Sequence, residues 1–236
     1  MVDQHIVALG GGGFSMESSP VLDDFVLSLA RSDRPRICFV PTASGDNENY
    51  IVRFYRRFTS AACQPSHLEL FRRTTQDLVA LARSQDILYV GGGNVANLLA
   101  VWHLHGFDQA LRAAHSQGTV LAGVSAGSLC WFEAGVTDSF GAPELSPIAG
   151  LGLLPGSNCP HYHDEPARRP AYQRLVREGM ADGLAADDGV ALHFCNRMLH
   201  RVVSSRPTAR AYRVERDADG VREVAIEPEL LATNAG

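Results

Sequence analysis

The chain of 236 residues, 45% hydrophobic and 20% charged, has ordinary globular composition throughout, and its length is read as one domain over residues 1–236. A formal charge of -5 with no Lys/Arg cluster excludes binding driven by release of counterions from a phosphate backbone, so nucleic acid is not an expected partner. Met1-Val2-Asp3-Gln4-His5 carries no secretory signal and no apolar run is long enough to span a bilayer, so a soluble cytoplasmic protein with no membrane contact is expected.

Apolar β-branched runs alternate with amphipathic stretches as far as about Val203, the pattern of a parallel sheet covered by helices on both faces. The predicted strands are Ile6 to Leu9, Ile37 to Val40, Leu68 to Leu70, Ile87 to Val90, Val120 to Val124 and Val190 to Phe194. Between them, Val21 to Ala30, Ile51 to Ala62, Leu78 to Ala82, Val95 to Trp102 and Phe107 to Ala114 carry apolar residues at helical spacing. After Val203, the segments Ala211 to Glu215 and Val221 to Ile226 flank Asp217-Ala218-Asp219-Gly220 and predict an antiparallel hairpin at the C-terminal edge. Residues Ala232 to Gly236 are expected to fray. The fold class is therefore α/β, a three-layer αβα arrangement with a mostly parallel central sheet.

Five cysteines, an odd number and widely spaced with no Cys-x-x-Cys pair, predict reduced buried thiols and argue against a disulfide framework or a structural zinc site.

The strongest chemical signal is Gly123-Val124-Ser125-Ala126-Gly127, entered from an apolar strand and leading into a helical pattern. This is the arrangement of a nucleophile elbow: two glycines remove side chains from a sharp strand-to-helix turn and leave the Ser125 hydroxyl exposed, with the Ala126 N–H as an oxyanion donor. A chance Gly-x-Ser-x-Gly in a chain with 22 glycines is the competing reading, and the flanking strand and helix weigh against it. A second strand ends in Gly91-Gly92-Gly93-Asn94, where Gly92 or Gly93 offers the second oxyanion N–H; a simple tight turn or phosphate-binding turn is the alternative. Gly10-Gly11-Gly12-Gly13 has only part of a dinucleotide-binding fingerprint, since Ser15 replaces the last glycine, and is read as a flexible rim of the same edge.

A serine nucleophile needs a base, and His161 and His163 in Pro160-His161-Tyr162-His163 are the candidates. Cys159, His161 and His163 at spacing two raise a metal site as the lesser reading. Asp138 lies between nucleophile and base in chain order and is the expected acid, with Glu133 and Glu144 as competitors.

Together, Val-Gly-Gly-Gly-Asn94, Gly-Val-Ser-Ala-Gly127 and Cys-Pro-His161-Tyr162 resemble the peptidase E (aspartyl dipeptidase) and cyanophycinase family of serine peptidases over residues 6 to 205. The resemblance implies a fold similar to class I glutamine amidotransferases, with Ser125 as nucleophile, His161 as base ahead of His163, and oxyanion donors from the Gly91-Gly92-Gly93 turn and Ala126. Peptidase E holds an N-terminal aspartate by an arginine in the helix after the histidine. Arg168, Arg169 and Arg174 stand there, and Asn94, His163 and Arg169 are the expected substrate contacts. The expected partner is a short peptide, cleaved without a metal or organic cofactor, and a homodimer is the assembly considered. The rivals are another acyl hydrolase, an esterase or amidase, and a non-catalytic binding protein on the same scaffold.

Overall fold

The structure, a computed structural model, describes residues 2–141, 143–218 and 220–232. Its strands are β1 (His5–Leu9), β2 (Arg36–Val40), β3 (Gln64–His67), β4 (Ile87–Val90), β5 (Val120–Val124), β6 (Phe132–Thr137), β7 (Ser146–Ala149), β8 (Leu154–Cys159), β9 (Gly183–Ala186), β10 (Val190–Cys195), β11 (Met198–Ser204), β12 (Ala211–Asp217), β13 (Gly220–Ile226) and β14 (Glu229–Leu230). The helices are α1 (Val21–Ser28), α2 (Glu48–Arg57), α3 (Leu78–Arg83), α4 (Val95–His105), α5 (Phe107–His115), α6 (Ala126–Leu129) and α7 (Arg168–Arg177).

An eight-stranded sheet in the order β14-β11-β10-β1-β5-β4-β2-β3 forms the centre. From β1 to β3 its neighbours run parallel, whereas β10 pairs antiparallel with both β1 and β11. Strand alternation sorts its side chains into two cores. Val7, Leu9, Phe39, Tyr89 and Ala122 point to the face covered by α1 and α2. Ile6, Ala8, Val40, Val90 and Leu121 point to the face covered by α3, α4 and α5. The sequence expectation of a mostly parallel sheet between two helical layers describes this centre.

A second sheet, order β13-β12-β9-β8-β6-β7, has six strands. Phe132, Leu154, Leu184 and Ala211 from it belong to the same apolar cluster as the α3–α5 face of the central sheet. Val136, Cys159, Ala185 and Val214 pack instead with Tyr172, Leu175 and Val176 of α7. The predicted hairpin is β12–β13, and it lies at the edge of this second sheet. Asp219 of its turn and residues 233–236 of the predicted frayed tail lie outside the described residues.

One predicted strand is displaced: Leu68 to Leu70 lies beyond the edge strand β3, whose polar residues pair with β2. Leu68 and Leu70 are buried in the turn that follows, where the Asp46 carboxylate accepts the N–H groups of Leu70 and Phe71, each at 2.8 Å. An edge strand needs only one backbone partner and tolerates polar side chains, so hydrophobicity marks the wrong segment here. Helix α2 begins earlier than predicted because Asn47 caps it, its side chain accepting the Tyr50 N–H at 3.1 Å.

All five cysteines are free thiols, four of them buried. Among the described residues no helix is long and apolar enough to cross a membrane.

Candidate active site

Ser125 sits at the step from β5 into α6, with φ 58° and ψ -114°, a conformation rarely adopted by a side-chain-bearing residue. The flanking glycines permit it. A Cβ on Gly123 would lie 2.1 Å from the Gly127 carbonyl oxygen, and one on Gly127 would lie 2.5 Å from that of Val90. No side chain fits at either position, so the elbow can form only with glycine on both sides of the serine.

The Ser125 Oγ lies 2.8 Å from His161 Nε2, and His161 Nδ1 lies 2.6 Å from Asp188 Oδ1. Both partners of the second contact are buried, with side chains 11% and 7% exposed. The ionised carboxylate can only accept, so Nδ1 carries the proton and Nε2 presents its lone pair to the serine hydroxyl. His161 follows β8 and Pro160 with a positive φ of 56°, which turns the ring back toward the elbow. Asp188 occupies the turn between β9 and β10.

The glycine tract after β1 makes room for that turn. A Cβ on Gly10 would lie 2.4 Å from the Asp187 carbonyl oxygen, and one on Gly11 would lie 2.0 Å from Asp188 Oδ1 and 3.0 Å from His161 Cε1. All four glycines are buried, so this rim is a packed contact and its glycines serve close approach. Glu17 closes it from behind, accepting from Gly13 N at 3.2 Å and from Arg206 Nε at 2.7 Å. The neighbouring Asp164 carboxylate accepts the Asp188 N–H at 2.7 Å.

The expected acid, Asp138, is not at the imidazole. It follows β6, its side chain is 47% exposed, and its carboxylate faces Arg168 at 3.9 Å. Glu133 accepts the Gly156 N–H at 2.9 Å and Glu144 is exposed. The carboxylate on the His161 ring is Asp188, which chain order between serine and histidine did not suggest. Its signal was a paired acid, Asp187-Asp188-Gly189, at the mouth of an apolar strand.

His163 is turned elsewhere, its Nδ1 2.9 Å from Asp187 Oδ1. Cys159 is fully buried with its thiol directed to the Pro160 carbonyl, so Cys159, His161 and His163 face three different partners and do not form the metal cluster considered from their spacing.

Gly92 packs against Ser125: a Cβ there would lie 3.2 Å from that of Ser125. Its N–H donates to the Tyr50 hydroxyl at 3.3 Å. Burial pushes the Tyr50 phenol above its ordinary value, so it remains a neutral hydroxyl. Gly93, at φ 138°, fits under the Ala43 carbonyl, where a Cβ would come to 2.2 Å. Ala126 is the first residue of α6, a position whose N–H has no acceptor within its own helix.

Two expected substrate contacts are occupied by the fold. Asn94 caps α4, its Oδ1 accepting from Asn97 N at 2.8 Å and its amide donating to the Ser139 carbonyl at 3.0 Å, which uses both ends of the side chain. Arg169 pairs with both oxygens of Glu223, at 3.1 and 2.9 Å, and so ties α7 to β13. The cleft over Ser125, about 220 Å³, is lined by Ser15, Met16, Tyr50, Arg53, Gly92, Val124, Ser125 and His161. Arg53 was not foreseen. Its Nη1 donates to the Ser15 carbonyl at 2.8 Å and its guanidinium lies 4.8 Å from the centre of the Tyr50 ring.

The comparisons with known proteins agree with this architecture. A protein of Bacillus subtilis (strain 168) named "Uncharacterized peptidase YgaJ" is 50% identical over 230 residues, covering 97% of this chain and 99% of its own. Peptidase E of Streptomyces coelicolor (strain ATCC BAA-471 / A3(2) / M145) is 26% identical over 199 residues, 83% of this chain and 80% of its own. Among solved structures, a peptidase from an acI-B1 Actinobacterium superposes with a TM-score of 0.74 at 18% identity, covering 95% of this chain and 94% of that one. A putative peptidase E from Listeria monocytogenes EGD-e gives a TM-score of 0.62 at 19% identity over 87% and 99%. These two show the shared fold. The model of peptidase family S51 matches residues 6–202, and with the Bacillus relative it shows that this chain belongs to that family of peptidases.

Proposed function

We propose that the protein is a serine peptidase that hydrolyses short peptides through an acyl-enzyme on Ser125, with His161 as the general base and Asp188 as the residue that orients it. The observation that carries this reading is the continuous chain from Ser125 Oγ to His161 at 2.8 Å and on to Asp188 at 2.6 Å, set on a strained elbow.

In the first half-reaction His161 Nε2 takes the Ser125 proton as Oγ attacks the scissile carbonyl, and returns it to the departing amine. A water then attacks the acyl carbon as His161 removes its proton; the bond from that carbon to Ser125 Oγ breaks, His161 returns the proton to Oγ, and the acyl group leaves as a carboxylic acid. Asp188 stays ionised throughout and stabilises the imidazolium formed in each half. The Ala126 N–H and the Gly92–Gly93 turn are assigned to the tetrahedral oxygen, each donor contributing about 3 kcal/mol. The Gly92 N–H must exchange its Tyr50 hydroxyl partner for the substrate oxygen to do so.

A cleft of about 220 Å³ is smaller than the roughly 300–1,000 Å³ of drug-sized pockets, which favours a dipeptide or similarly short substrate. If the substrate carries an N-terminal aspartate, the guanidinium that meets it is Arg53, because Arg168, Arg169 and Arg174 are paired with Glu165, Glu223 and Glu178.

The test is turnover of a dipeptide library together with labelling by a fluorophosphonate. The expected result is a single modified residue, Ser125, and loss of both turnover and labelling in Ser125→Ala with the fold unchanged. Full turnover by that variant would remove the mechanism.

A further inference from the structure

We propose that Asp3, His5 and Cys195 form a binding site for one divalent cation of the zinc class, at the edge of the central sheet opposite the nucleophile. His5 opens β1 and stands directly across from Cys195 at the end of β10, so the two side chains share one face of an antiparallel pair. Asp3 lies two positions before His5. A carboxylate oxygen, an imidazole nitrogen and the thiol sulfur all fall within 4.8 Å of one another. Closing around an ion with bonds of about 2.0–2.3 Å needs only small side-chain movement.

The donor set decides the class of ion. Thiolate and imidazole favour a borderline or soft metal, and one oxygen, one nitrogen and one sulfur leave a fourth tetrahedral position for water. The sulfur argues against magnesium and calcium, which take oxygen ligands. The thiol gives up its proton to solvent on binding, so the bound ligand is a thiolate.

Two further contacts orient the ligands. His5 Nδ1 lies 3.0 Å from Nε2 of the buried His193, which can fix His5 in the tautomer that leaves its own Nε2 free for a metal. Asn196 Nδ2 donates to Asp3 Oδ1 at 3.0 Å, and Asn196 also exchanges hydrogen bonds with the Gln4 backbone at 2.9 and 3.1 Å. Asn196 and Arg197, both with positive φ, form the two-residue turn that joins β10 to β11. A metal here would clamp the first residues of the chain to that turn. The wide spacing of the cysteines hid this set, because its members come together only through the β1–β10 pairing.

The site is separate from catalysis. Ser125 follows the carboxyl end of β5, which runs parallel to β1, whereas His5 lies at the amino end of β1.

The test is titration of chelator-treated protein with zinc against a chromogenic chelator, and with cobalt(II) followed by absorption. The expected result is one zinc per chain and a thiolate-to-cobalt charge-transfer band, both lost in Cys195→Ser. Affinity should fall at least about tenfold in His5→Ala and in Asp3→Asn, and about 10–100-fold in His193→Gln. Cys195→Ser should keep the wild-type circular dichroism and phosphonate-labelling rate, which separates loss of a ligand from loss of fold. Asp3→Asn, at an exposed position, makes the same separation independently. Failure of the wild type to bind zinc stoichiometrically overturns the proposal, as does a cobalt band that survives Cys195→Ser or an affinity unchanged in both His5→Ala and Asp3→Asn.

Discussion

Asp188→Asn is the substitution that most directly interrogates the site. Asp188 and His161 meet at 2.6 Å with both side chains almost wholly shielded from water, so their contact is a short charge-assisted hydrogen bond in a low-dielectric setting. An amide of the same size keeps the packing but removes the negative charge that stabilises the imidazolium, a loss of about 1.5–3 kcal/mol. It can also donate to Nδ1, which moves the ring proton to Nε2 and points a donor at the Ser125 hydroxyl where a lone pair is required. Together these predict a fall in kcat of about 10³–10⁴-fold, or roughly 4–5.5 kcal/mol in the barrier, similar to the effect of this change in Ser-His-Asp hydrolases. Asp138→Asn is the matched control, expected within about fivefold of wild type because it removes only a long 3.9 Å contact to the buried Arg168, which keeps Glu165 as its closer partner. The assays are kcat on the best dipeptide of the library and, independent of substrate choice, the rate of phosphonate labelling at Ser125. An Asp188→Asn enzyme within tenfold of wild type, or an Asp138→Asn enzyme as slow as the Asp188 variant, would refute the reasoning.

Ser125→Gly should relieve the strained backbone at φ 58°, ψ -114°. It is expected to exceed Ser125→Ala in stability by about 1 kcal/mol, a rise of roughly 2–4 °C in Tm, although both are inactive; equal midpoints would show that the elbow stores no strain. Gly127→Ala places a Cβ 2.5 Å from the Val90 carbonyl oxygen and should cost about 1–3 kcal/mol with loss of labelling at Ser125, read by denaturant midpoint and phosphonate reaction. Arg53→Ala should raise KM for peptides bearing a carboxylate near the scissile bond with little change for neutral ones, measured as a ratio of kcat/KM values. Burial pushes the Asp23 carboxyl up to about 6 against about 3.9 in an unfolded chain, so the native state holds that proton more tightly. Its contribution, about 3 kcal/mol, is full below roughly pH 4 and lost as the pH rises to about 6; Asp23→Asn should flatten the fall of Tm across that window.

The central sheet was legible because its middle strands are buried on both faces and read as unbroken apolar runs; β4 and β5 have the bounds expected from sequence. The second sheet was not. Phe132–Thr137, Leu154–Cys159 and Gly183–Ala186 are short and rich in glycine, alanine and polar residues, and they become strands only by pairing with one another. Ser125 and His161 could be singled out from local chemistry, glycines around a serine and a histidine after proline, since each depends on its own turn. The carboxylate beside His161 depends on a long-range pairing, and there the local logic of seeking a carboxylate between Ser125 and His161 fails. Strand β10 runs antiparallel to β1 with Leu9 opposite Ala191, so the turn before β10 lies at the carboxyl end of β1. Strand β1 is also the neighbour of β5, and the Ser125 N–H donates to the Leu9 carbonyl at 3.1 Å. One reversed strand therefore delivers Asp188 to the edge where β5 ends, and the glycines after Leu9 are what let it approach. A carboxylate placed almost anywhere in the chain could meet the imidazole, provided the sheet order brings its turn to that edge; this is why Asp188 had to be found from topology.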